Sequence, residues 1–66
     1  MTITPSNIFD HKDRQLQASK GYLTFRLYPD GWLVRFTPYL EGSKPETLNS
    51  ADVYAACAFA NDRLNY

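Results

Sequence analysis

Apolar and polar residues alternate most clearly between Tyr22 and Leu40, YLTFRLYPDGWLVRFTPYL. Two runs rich in β-branched and aromatic residues flank Pro29-Asp30-Gly31, which predicts a β-hairpin with strands over about 22–28 and 32–39. A two-residue Asp30-Gly31 loop would set Pro29 opposite Trp32 and forfeit a hydrogen bond, because proline has no N–H. A type I turn with Pro29 at its second position and Gly31 as a left-handed bulge residue suits these residues better. That register pairs Tyr28 with Trp32, Leu27 with Leu33 and Phe25 with Arg35. One face then carries Leu23, Phe25, Leu27 and Leu33, and the other Tyr22, Tyr28, Trp32, Val34 and Phe36. A one-residue slip would place Leu27 by Val34 and Phe25 by Phe36, a cleaner core, but would set Arg26 opposite Arg35. In either case large side chains stand on both faces of the ribbon.

Helical periodicity follows. Val53, Ala56, Cys57, Ala60 and Leu64 fall at i, i+3, i+4, i+7 and i+11 and form one stripe of mostly small side chains. The opposite side, Ala51, Tyr54, Ala55, Ala58 and Phe59, carries few charges, unlike an ordinary solvated face. Asn49 reads as the N-cap, with Asp52 at the third helical position and Leu48 and Val53 as a hydrophobic staple. The helix is expected over about 49–65. At roughly 25 Å it would run the length of a seven-residue strand, roughly 23 Å.

Before the hairpin, Arg14 to Ser19 alternates loosely and reads as an edge strand over 14–19. Residues 1–9 read as a mobile N-terminal arm, with turn formers Pro5, Ser6 and Asn7. Glu41 to Glu46 is a loop by composition, and Pro45 argues against a strand through Thr47 and Leu48. The expected fold is α+β, one small domain over 1–66, with a two- or three-stranded antiparallel sheet packed on one C-terminal helix.

At 66 residues such a chain buries only about 60% of its unfolded surface. A single cysteine excludes an intrachain disulfide and a single histidine leaves a metal without a ligand set. An efficient core or self-association must supply the stability. Formal net charge is zero. Up to Leu40 five cations face three acids, and beyond it two cations face four acids. That imbalance is too small to steer nucleic acid by itself. The first residues lack the apolar stretch of a signal peptide, and no apolar run approaches the roughly 20 residues of a membrane helix. With one cysteine, a cytoplasmic protein without membrane contact is expected.

Asp10-His11-Lys12-Asp13 sets two carboxylates beside the histidine, but no nucleophile or further ligand accompanies them, so it reads as a solvated loop. Cys57, mid-helix among alanines, reads as a buried structural thiol rather than a reactive one. Two groups remain as candidate contact surfaces. Arg26 and Arg35 share the hairpin with Tyr22, Tyr28 and Trp32, so arginines can meet phosphates while rings stack on bases. Tyr54 and Phe59 on the helix are of the types enriched at protein interfaces. No catalytic residue, cofactor site or metal site is predicted, and the chain is not expected to be an enzyme.

Asp30-Gly31-Trp32-Leu33-Val34 and the helix start Leu48-Asn49-Ser50-Ala51-Asp52 resemble the corresponding segments of small DNA-binding domains of the integrase arm-binding type. The resemblance covers about half the chain and implies a three-stranded antiparallel sheet on a helix. Those domains meet DNA with a basic sheet face, which this sequence does not display, so the resemblance supports fold rather than function. The expected function is a non-enzymatic protein–protein interaction module that self-associates as a homodimer and acts as an accessory or regulatory protein. A small DNA-binding domain using the aromatic–basic hairpin is the alternative, and a phage-type inhibitor of a host complex would use the same surfaces.

Overall fold

A computed structural model describes residues 1–66. A 3-10 turn, Ile8–His11, precedes four strands, β1 (Gln15–Gln17), β2 (Gly21–Tyr28), β3 (Gly31–Pro38) and β4 (Glu46–Ser50), and one helix, α1 (Val53–Leu64). The strands form one antiparallel sheet in chain order, so each connection joins neighbours. The fold is α+β as expected, with four strands where two or three were expected.

The hairpin register differs from both expected ones. Pro29 and Asp30 alone form the loop, and Tyr28 pairs with Gly31, Leu27 with Trp32, Phe25 with Val34 and Leu23 with Phe36. Proline keeps its place at the second turn position. Gly31, however, at φ +142°, is the first paired residue of the ladder and not an unpaired bulge residue. This pairing gathers the bulky groups on one face: Leu23, Phe25, Trp32, Val34 and Phe36 are all buried. It also parts the arginines, since Arg26 faces Leu33 and Arg35 faces Thr24, which avoids a like-charge pair.

β4 is the strand the sequence hid. Pro45 lies just before its first residue, so the missing N–H falls outside the ladder. Pairing with β3 from Phe36–Glu46 to Trp32–Ser50 keeps Asn49 extended, so Asn49 is not the helix cap. Asp52 takes that role: its carboxylate accepts from the Tyr54 N–H at 3.0 Å. The helix is therefore 12 residues long, about 18 Å at 1.5 Å per residue, and packs chiefly on β3 and β4. Its stripe is as expected, with Ala56, Cys57 and Ala60 buried and Val53 and Leu64 packed against the core.

So short a helix leaves the β1–β2 side of the inner face to another cover. The N-terminal segment, expected as a mobile arm, supplies it. Ile3 and Ile8 are buried in the core, each worth about 1.5–3 kcal/mol of burial. Asn61 of α1 brackets Ile3, accepting from its N–H at 2.7 Å and donating to its carbonyl at 2.8 Å. Asn7 closes the turn before the 3-10 segment by accepting from the Thr4 N–H and donating to the Thr2 carbonyl. Two paired amides thus satisfy backbone groups that an isolated extended segment would leave to water.

Candidate functional site

Helix and N-terminal segment cover one face of the sheet, and the other face is open. Alternation and register place Gln15 and Gln17 of β1, Tyr22, Thr24, Arg26 and Tyr28 of β2, Leu33, Arg35 and Thr37 of β3, and Thr47 and Asn49 of β4 on it. None of these is an acid. Leu33 is its one aliphatic side chain and is partly covered. The rest are hydroxyls, carboxamides, tyrosines and two arginines.

Arg26 and Arg35 are both exposed. Neither takes part in an ion pair or a side-chain hydrogen bond; the ion pairs of the molecule are Lys12–Asp13, Arg63–Glu46 and Arg63–Asp62. They are diagonal neighbours across β2 and β3, which sets their Cβ atoms about 7–8 Å apart. Between them runs a groove of about 210 Å³ whose walls include Tyr22, Thr24, Leu33 and Thr37. Of the acids around the hairpin, Asp30 lies in its loop, and Asp13 donates its N–H to the Phe25 carbonyl while its carboxylate meets Lys12 at 3.5 Å.

Tyrosines stand at both ends of this face. Tyr28 is 46% exposed beside the hairpin loop. At the other end of β2, Tyr22 lies 6.2 Å from the Tyr39 ring in a tilted arrangement, and the Tyr39 hydroxyl donates to Oε1 of Gln17. Because every tyrosine here sits on a strand or pairs with one that does, the rings are held by the sheet rather than by loops.

Four residues expected in one contact surface, Tyr22, Arg26, Tyr28 and Arg35, are thus brought together. The other three are not. Trp32 faces the core and is 3% exposed, with the Phe9 ring edge-on at 5.3 Å. Tyr54 is exposed on α1, in the other layer. Phe59 is half-buried and lies under the Arg63 guanidinium, 4.4 Å from its ring centroid. That guanidinium also donates to both carboxylate oxygens of Glu46, at 2.9 and 3.2 Å. Burial works against its charge, but the bond to Glu46 and the carboxylates of Glu46 and Asp62 hold its pKa above the ordinary arginine value. This clamp ties α1 to β4 and closes the side of Phe59 to partners. No sequence signal marked it, since Glu46 and Arg63 sit in different elements.

Elsewhere little chemistry gathers. Nowhere do three or more His, Cys, Asp or Glu side chains converge in a way that would hold a metal ion. The Cys57 thiol is buried, and desolvation, helped by the charge of Asp52, raises its pKa, the opposite of what activates a nucleophilic thiol. No helix is long and apolar enough to cross a membrane. Compared with family models, curated proteins and solved structures, the chain matches none.

Proposed function

We propose that the protein is a non-enzymatic binding module whose working surface is the outer sheet face and whose ligand is nucleic acid. The carrying observation is that this face presents Arg26 and Arg35 unpaired, between tyrosines, with no acid among its residues. Arginines on a rigid ladder suit phosphate oxygens, and the surrounding hydroxyls and carboxamides can donate to and accept from base edges. Neutral overall charge gives no long-range attraction, so affinity must come from this local field and from contact.

Self-association is the sequence-based expectation because hairpin and helix both read as apolar on two sides. The observed register removes that premise for the sheet, since its second face is polar and cationic. Binding to mixed-sequence oligonucleotides should fall with salt, and the Arg26→Ala, Arg35→Ala double variant should lower the slope of log affinity against log salt by about two units. Equal and negligible binding by both proteins would retire the proposal.

A second reading rests on a different place. Phe9 is 58% and Leu27 38% exposed, and both lie against Trp32, one by its ring and one as its cross-strand partner. An apolar spot of this kind at the hairpin end suits a protein partner or a second copy, and an accessory or inhibitory role would use it. Sedimentation over a concentration series should show association that Phe9→Ser weakens. A strict monomer at high micromolar concentration would remove the self-association half of this reading.

A further inference from the structure

The shape of the outer face says more about its ligand than its charge does. At about 4.8 Å between strands, four strands span about 14 Å before side chains are added. A B-form major groove, about 12 Å wide, admits a helix or a two-stranded ribbon, and the minor groove is about half as wide. Four strands side by side, one more than in the arm-binding domains, are too broad to enter either. Only the hairpin loop is narrow enough, and it leads with Asp30 and Pro29, an acid and a residue without an N–H donor. What a duplex would meet first therefore repels it.

A single strand has no such difficulty, because it lies on a flat face instead of around an edge. Tyr22 and Tyr28 are six residues apart on β2, about 20 Å at 3.4 Å per residue. Arg26 and Arg35 lie between them, with Leu33 opposite Arg26. Rings at the ends and cations at the centre reproduce the two needs of an unpaired strand, faces for bases to stack on and charge for the backbone. Two arginines alone are a weak electrostatic footprint, so binding here depends on the rings, which duplex bases, already stacked, cannot use.

We infer that the outer face binds a short single-stranded polynucleotide along β2, with Tyr22 and Tyr28 as stacking platforms and Arg26 and Arg35 on the phosphates between them. This rests on the nucleic-acid reading above and narrows it. The test is fluorescence anisotropy at low salt with end-labelled single-stranded DNA and RNA of one sequence and with the matching DNA duplex. Single strands should bind at least about tenfold more tightly than duplex. Tyr28→Ala should weaken them about tenfold or more and Tyr28→Phe should not, the size of effect a lost base stack gives. Tyr54→Ala, on the opposite layer, should leave binding unchanged, and circular dichroism of each variant checks that it is folded. A preference for RNA over DNA would bring the ribose hydroxyl into the site; equal affinity would leave it out, and both outcomes support single-strand binding. Duplex bound as tightly as single strands, or full binding by a folded Tyr28→Ala variant, would overturn the inference while leaving the broader reading standing. Binding to none of the three would end both.

Discussion

Gly31→Ala is expected to remove most of the stability of the domain. Gly31 sits at φ +142°, a region that residues with a Cβ hardly enter, and forcing one there costs about 1–3 kcal/mol. Space is lacking as well. A Cβ at Gly31 would overlap the Ser50 carbonyl oxygen and come within 2.7 Å of Ala51 Cα. Both belong to backbone where β4 leaves the sheet, so no side chain can swing aside. Relief would require β4 to shift off β3 and take Asp52 and the start of α1 with it. A 66-residue domain holds only about 3–10 kcal/mol in total. Gly42 is the control, because it also has a positive φ, +85°, but a Cβ there meets nothing within 4 Å, so Gly42→Ala should cost about 1 kcal/mol. Urea unfolding followed by far-ultraviolet circular dichroism measures both. Near-equal midpoints for Gly31→Ala and Gly42→Ala would mean that β4 does not cross Gly31 as described.

The hairpin, its proline turn and the helix stripe were legible because each leaves a local periodic signal. Register was not, because turn chemistry and core pattern pointed to different pairings. A glycine after Pro-Asp fits a bulge, yet here it joins the ladder directly. One further consideration would have decided against the preferred register. Pairing Phe25 with Arg35 puts an arginine on the core face, and an unpaired buried charge costs far more than an imperfect turn. The observed register sends Arg26 and Arg35 to the same open face, which is why four of the seven expected contact residues come together there. Glu46–Ser50 carries one large aliphatic residue, Leu48, and its identity as a strand lies in hydrogen bonds to β3 that no local pattern reveals. The docking of Ile3 is equally non-local, since it depends on Asn61 58 positions away.

Trp32→Ala is the second large effect, and it separates the two registers directly. In the bulged register Trp32 shares a face with Tyr22 and Tyr28 and would be a contact residue. In the observed one it is 3% exposed, opposite Leu27 and Ser50 in the ladder and against the Phe9 ring at 5.3 Å. Truncating a buried tryptophan leaves a cavity bounded by strand backbone and the 3-10 segment, neither of which can collapse far, and the cost should be about 3–5 kcal/mol. That is comparable to the whole stability of so small a domain, so the variant should be largely unfolded near 37 °C. Arg35→Ala, three residues on and exposed with no ion pair, should stay within about 0.5 kcal/mol of the parent. Thermal unfolding by circular dichroism compares the three proteins. In the parent, the emission of this single tryptophan should be blue-shifted and move to the red as the fold is lost. A red-shifted native emission together with a stable Trp32→Ala variant would put Trp32 on the surface, reverse the faces of β3, and take Arg35 off the proposed binding face.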